Sequence, residues 1–154
     1  MKNEIVFMFG KIKFDEELPD EVKFEIHKYV ENGSTIVIGD APGADRRIQE
    51  YLKDVGYDNV IVYAADILVR NNVGNWNEVH IYSGHLNDKE RHALKDVTME
   101  TMETIANKGF GITSRDDRSD STTMGSILRL LINKKAIQIY DYKKHDWIPE
   151  NFYI

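Results

Sequence analysis

The sequence predicts an α/β fold in which helices cover both faces of a mainly parallel sheet, a three-layer sandwich. Three observations predict it. Apolar segments of strand length alternate with segments of helical periodicity along the whole chain, as successive βαβ units require. The strand segments are continuous apolar runs, the pattern of strands buried on both faces. No linker, repeat or low-complexity run divides the 154 residues, so residues 1–154 are read as a single domain. Its core is placed over about residues 4–140, with 141–154 as a tail packed on the surface.

The elements follow in order. Ile5-Val6-Phe7-Met8-Phe9 reads as the first buried strand. Pro19 opens a helix with Asp20 and Glu21 in its first turn, where the helix dipole favours acids. Val22, Ile26, Tyr29 and Val30 are its apolar stripe, and Asn32-Gly33 stops it. Thr35-Ile36-Val37-Ile38 is the second strand; a helix with the stripe Ala44, Ile48, Tyr51, Leu52 and Val55 follows and ends at Gly56. Val60 to Tyr63 is the third strand, Ala64 to Asn77 a long loop, and Val79 to Ser83 a fourth strand. One long helix is expected from about Asn87 to Asn107, with Leu94, Val97, Thr101 or Met102, and Ile105 inward. Gly109 to Thr113, a helix marked by Ile127, Leu128, Leu130 and Leu131, and a strand at Ala136 to Tyr140 complete the pattern.

Composition narrows the function. There are no cysteines, which excludes disulfides, cysteine-ligated zinc and a cysteine nucleophile. Lys plus Arg number 20 against 26 Asp plus Glu, a formal charge of −6. Such a chain is poorly suited to duplex binding, which rests on phosphate neutralisation, but a small phosphorylated ligand needs only one local positive pocket. No stretch approaches the roughly 18 apolar residues of a membrane span, and the short apolar start lacks a signal-peptide cleavage pattern. The expectation is a cytoplasmic protein without membrane contact. The five histidines lack metal-ligand spacing, so no metal is expected.

Ligands of open parallel sheets sit at the carboxyl ends of the strands, so the loops there are the candidate sites. Gly39-Asp40-Ala41-Pro42-Gly43-Ala44-Asp45 links a strand to a helix. Its small residues let a ligand approach the backbone, and free amides at a helix start favour an anion. A tight turn with Asp45 as a first-turn acid fits the same residues. Ser114 to Thr123 is the second loop. Ser121, Thr122 or Thr123 can cap a helix and bond a phosphate, and Arg115 or Arg118 can supply bidentate charge. Its aspartates can hold ribose hydroxyls or a magnesium-bound phosphate, although nothing else in the chain supports magnesium and no cofactor is expected. In Arg70-Asn71-Asn72-Val73-Gly74-Asn75-Trp76, an arginine, amides and an indole suit a base or phosphate, or equally a surface turn with its Trp in the core. Finally, Gly10-Lys11 follows the first strand, where a lysine can reach a phosphate or simply be solvated.

Several of these segments together resemble a known family. Val37 to Asp45, followed by Gln49, Tyr51-Leu52, Gly56-Tyr57 and Val60 to Tyr63, is similar to the glycine-rich loop region of the SLOG superfamily. These are Rossmann-like proteins related to the cytokinin-activating "lonely guy" enzymes and the DNA-processing protein A domain. Arg70 to Trp76, Lys95-Asp96 with a following methionine, and the Asp-x-Arg-Ser-x-x-Thr stretch before Thr123 and Gly125 resemble a small single-domain branch. The resemblance spans roughly residues 4–140. It implies a Rossmann-like sheet and a nucleotide or nucleotide-derived ligand. The family's characterised enzymes cleave the base–ribose bond of nucleoside monophosphates, and other members are thought to bind or sense nucleotides. Those enzymes carry Pro-Gly-Gly-x-Gly-Thr-x-x-Glu with a catalytic glutamate. Here Ser121-Thr122-Thr123-Met124-Gly125-Ser126 stands in its place, with no glutamate in register.

The leading expectation is nucleotide binding. The phosphate is expected on amides and hydroxyls near Ser119 to Thr123 and on Gly39 to Gly43. Asp40 or Asp45 would take ribose hydroxyls, while Arg70, beside Asn71 and Asn72, or Trp76 would contact the base. Its sharper form is an N-glycosidase. Cleavage through an oxocarbenium-like state needs a carboxylate and a water-activating base, for which Asp45, Asp96, Asp116 and Asp117 are the candidates. The alternatives are a non-enzymatic nucleotide sensor or sequestering module, and a single-stranded nucleic-acid accessory domain, which the acidity opposes. A homodimer is expected from the resemblance, with Trp147 or Phe152 available for the contact.

Overall fold

The computed structural model describes residues 3–117 and 121–153, with the Ser121 side chain excepted. Its sheet has seven strands. They are β1 (Ile5–Gly10), β2 (Thr35–Gly39), β3 (Val60–Ala64), β4 (Asn77–His80), β5 (Lys108–Thr113), β6 (Ala136–Asp141) and β7 (Asp146–Ile148). The spatial order is β4-β3-β2-β1-β5-β6-β7, and every pairing is parallel except β6 with β7. The chain runs outward from β1 to β4, then crosses back and leaves β1 in the other direction through β5. The strand order therefore reverses between β1 and β5, and the crevice outside their carboxyl ends is where such sheets take ligands.

Side-chain alternation along the strands builds the layers. Val6 and Met8 of β1 point into a core shared with α1 (Asp20–Glu31) and α2 (Ala44–Asp54). Phe7 and Phe9 point the other way, toward α4 (Lys95–Ile105) and α5 (Ser121–Ile132). The result is the expected three-layer, Rossmann-like sandwich. No described helix is long and apolar enough to cross a membrane. The two glycines of β5 have a packing reason. A Cβ on Gly109 would lie 2.4 Å from Leu130, and one on Gly111 would lie 2.8 Å from the Phe9 ring.

The strand expected over Val79–Ser83 lies earlier, as β4 over Asn77–His80, where it pairs with Ile61–Ala64 of β3. Two further elements differ from the sequence expectation. The helix expected over 87–107 is broken into α3 (Asp88–Ala93) and α4, with Leu94 at the joint at φ −85° and ψ 0°. Asn87 and Glu90 close a capping box at the start of α3. Along α4 the buried positions are Thr98, Met102 and Glu103, whereas Val97 and Ile105 are exposed. The helix is turned so that Glu103 can accept bonds from Ser126 Oγ, Arg129 Nε at 2.6 Å and Arg129 Nη2 at 2.9 Å on α5. Satisfying a buried carboxylate outweighs burying two aliphatic side chains. The second difference is the tail. Instead of lying across the surface, it turns back as β7, so that Trp147 packs edge-on against Phe110 and Tyr140 at 5.9 and 5.0 Å. Trp147 thus belongs to the sheet's own core, while Phe152 stays exposed.

Gly43, at φ +81°, precedes α2, and a Cβ there would sit 2.0 Å from the carbonyl oxygen of Ile12. Gly56 has φ +72° but open space around it. Replacing Gly56 with Ala is expected to cost about 1–2 kcal/mol, the left-handed backbone penalty alone. Gly43→Ala adds a clash with main chain that cannot move aside, so urea unfolding should show a loss of at least about 3 kcal/mol. Equal losses for the two variants would contradict this packing.

Candidate functional site

Outside the carboxyl ends of β1, β2 and β3 lies a cleft of about 440 Å³, closed on one side by α3 and α4. Gly10 and Ile12 line it from β1 and the loop beyond. Gly39, Asp40, Ala41 and Asp45 line it from the β2–α2 connection, Tyr63, Ala65 and Arg70 from the end of β3 and its loop, and Thr122 from the first turn of α5. Asp88, Arg91, His92, Lys95, Thr98, Met99 and Met102 complete it from α3 and α4.

One buried amide fixes the first wall. Gln49 of α2 has no accessible surface. Its Nε2 donates to the carbonyls of Gly39 (3.0 Å) and Asn71 (3.1 Å), and its Oε1 accepts from the Val73 amide at 3.1 Å. Asn71 adds a bond from Nδ2 to the Asp40 carbonyl at 3.0 Å and receives Arg46 Nη1 at 2.7 Å. Asp40 accepts the Arg70 amide at 2.9 Å and its Nη2 at 3.0 Å. The segment 70–76 is thereby sewn to the glycine-rich loop, and Arg70 is held at the cleft with its charge partly compensated.

Asp45 lies deeper. It sits in the first turn of α2, yet its carboxylate folds back over Gly39, where a Cβ would stand 2.7 Å from Oδ2, and accepts the Ala41 amide at 3.3 Å. Burial raises its pKa to about 7, reinforced by the nearby charge of Asp40 and opposed by the Ala41 bond and Arg70. A cleft carboxyl that titrates near neutrality is suited to acid–base work. On the far side Asp66, with no accessible surface, accepts the amides of Leu68 (3.0 Å) and Leu86 (2.8 Å) and Arg91 Nη2 (3.1 Å). The Arg91 bond is the main cause that holds its pKa down to about 2.

The structure sorts the sequence candidates. Gly10, Gly39, Asp40, Ala41, Asp45, Arg70 and Thr122 meet in the cleft. Lys11 does not line it; its ammonium pairs with Asp117 of the β5–α5 connection. Gly43 faces Ile12, and Asn71 is scaffold. Asn72 closes its own turn, taking the Trp76 amide at 3.0 Å and giving Nδ2 to the Trp76 carbonyl at 2.8 Å. Trp76 is in the core on the α1–α2 face, its indole N–H bonded to the Tyr57 carbonyl at 2.8 Å, so it is not placed to meet a base in the cleft. Thr123 is buried in α5. Among the four carboxylate candidates, only Asp45 lines the cleft. Asp96 is exposed on α4, Asp116 pairs with Lys144 at 3.6 Å, and Asp117 pairs with Lys11. Arg118 and Ser119 lie outside the described residues, as does the Ser121 side chain.

The loop-centred sequence reading missed the α3–α4 wall. Its signal was present: Lys95, Thr98, Met99 and Met102 recur at i, i+3, i+4 and i+7, one helix face with a cation at its mouth and two methionines along it. Asp66 and Arg91 carry no local pattern, because their pairing spans separate loops and helices. No protein-family model matches the chain, and none of the curated proteins matches it.

The raised pKa of Asp45 has a stability consequence. Its value exceeds the 3.8 of an unperturbed carboxyl, so the folded protein holds this proton more tightly than the unfolded chain does. That contribution is complete below about pH 4 and is lost as pH rises toward 7, by roughly 4 kcal/mol in all. Asp45→Asn removes the titration. Denaturant unfolding at pH 5 and pH 8 should therefore show a smaller pH-dependent loss for the variant than for the wild type; parallel losses would contradict a buried, proton-holding Asp45.

Proposed function

We propose that the cleft binds a nucleotide or nucleotide-derived ligand. The observation that carries this is the union, in one cavity at the carboxyl ends of β1 to β3, of an apolar floor, fixed cations and acidic acceptors. Tyr63, Met99 and Met102 offer the flat and pliable apolar surface that a base requires. Arg70, Arg91 and Lys95 supply positive charge in a chain that is acidic overall. Asp40 and Asp45 supply acceptors for sugar hydroxyls. The resemblance of the glycine-rich loop to the SLOG superfamily supports the same ligand class.

Asp45 carries the reading from binding toward chemistry. A carboxyl that keeps its proton up to about pH 7 can hand it to a departing base. In N-glycosidic hydrolysis the ribose C1′–N bond breaks, the base leaves with the proton of Asp45, and water adds to C1′ and returns a proton to the carboxylate. Asp40, at the same cleft, would face the oxocarbenium-like charge. A second reading, a sensor that retains the nucleotide intact, is favoured by one observation: of the four candidate carboxylates, three lie away from the cleft.

Incubation of the purified protein with a mixed pool of nucleoside monophosphates, cyclic dinucleotides and NAD, followed by ultrafiltration and mass spectrometry of both fractions, tests the proposal. Retention of a nucleotide, or release of free base and ribose phosphate, is the expected result. If cleavage occurs, Asp45→Asn should lower turnover by about 10²-fold or more, the scale of a lost general acid. A pool recovered intact and wholly in the filtrate would contradict nucleotide binding.

A further inference from the structure

We propose that Arg91, aimed by Asp66, is the residue that binds the ligand's phosphate, so that the anion sits on the α3–α4 wall and not on the glycine-rich loop; the inference rests on the nucleotide reading above. The glycine-rich loop looks like an anion cradle in sequence, but two of its amide donors and much of its space are already used. The Ala41 amide serves Asp45 at 3.3 Å, and the Ala44 amide serves the Lys11 carbonyl at 3.0 Å. The space beside Gly39 is filled by the Asp45 carboxyl, and that beside Gly43 by the Ile12 carbonyl. Two aspartates, 40 and 45, line this part of the cleft. Arg70, the cation of this wall, is already paired with Asp40, so a phosphate finds little free positive charge there, while a sugar hydroxyl finds carboxyl partners.

The other wall has the opposite character. Arg91, His92 and Lys95 line it, and its one acid, Asp88, is fully exposed and touches Arg91 Nη1 at only 3.4 Å. Lys95 has no acidic partner within 4.0 Å among the described residues, and it follows Arg91 by four positions. Arg91 itself is held from behind. The two oxygens of Asp66 are fixed by the Leu68 and Leu86 amides whether or not Arg91 is present, so Asp66 is a clamped anchor for Arg91 Nη2. The guanidinium has five N–H donors in a rigid fork. Nη2 serves Asp66 and, at 3.5 Å, the Leu86 carbonyl, while the Nε–H is buried without any partner. Nη1 has only the 3.4 Å contact with the exposed Asp88, so this end of the guanidinium keeps donor capacity for a phosphate oxygen in the cleft. Asp66 is thus a positioning residue and Arg91 a ligand contact.

The test is calorimetric titration of wild type, Arg91→Ala, Arg91→Lys and Asp66→Asn with three probes: AMP, adenosine and inorganic pyrophosphate. Circular dichroism first establishes that each variant is folded. Wild type should bind AMP at least about tenfold tighter than adenosine, the worth of a charge-assisted contact. In Arg91→Ala that ratio should collapse toward one and pyrophosphate binding should vanish, with Arg91→Lys intermediate. Asp66→Asn should lower the ratio as well, a readout that general loosening of the fold does not shift; an unchanged ratio would remove its positioning role. An unchanged ratio in folded Arg91→Ala, or in Arg91→Lys if the alanine variant fails to fold, would overturn the Arg91 assignment and leave nucleotide binding standing. Pyrophosphate binding that needs Arg91, without AMP binding, would overturn the nucleotide reading and leave the anion site. No binding of any probe would overturn both.

Discussion

The buried amide of Gln49 is the constraint on which the candidate site depends. It has no solvent and no charge, only three backbone partners, and those partners belong to two segments far apart in the chain. Both of its polar atoms are used, so the register between the glycine-rich loop and the 70–73 segment is fixed in a low-dielectric setting where unpaired groups are costly. Asp40, Arg70 and Asn71 then fall into place as a consequence. Asp45 can fold back over Gly39 because that loop is held still and has no Cβ there.

A second constraint works from the other side of the cleft. Asp66 gathers the start of the β3–β4 connection, the turn before α3, and Arg91 itself. Burying an ion pair is a poor way to gain stability compared with apolar packing. It is a good way to hold a guanidinium at one place and angle. The cleft therefore has one wall where Asp40 and Asp45 stand beside Arg70 and another where Arg91, His92 and Lys95 stand beside Asp88, with Tyr63, Met99 and Met102 as its apolar lining.

Much of the fold was legible because it rests on short-range patterns. Continuous apolar runs gave β1, β2, β3 and β6 nearly to the residue, and helical stripes gave α1, α2 and α5. The break at Leu94 was not legible, because nothing local interrupts the pattern; nor was the face that α4 buries, which is set by Glu103 meeting Ser126 and Arg129. Nor was β7, since a three-residue strand has no period to read. Gly39, Asp40, Asp45 and Arg70, singled out by loop chemistry at strand ends, line the cleft. Trp76 and Asn72 looked like ligand residues because recognition loops and buried structural turns use the same side chains. Only tertiary bonding separates the two, as the Tyr57 carbonyl does for the indole.

The central claim is that a nucleotide occupies the cleft bounded by the Gln49-fixed loop and the α3–α4 wall. Amide chemical-shift mapping of isotopically labelled protein titrated with AMP tests it most directly. The account predicts saturable shifts confined to residues around Gly39–Asp45, Tyr63–Arg70 and Arg91–Met102, with the α1 face and β7 silent. Shifts centred elsewhere, or a spectrum unmoved at millimolar AMP, would contradict it.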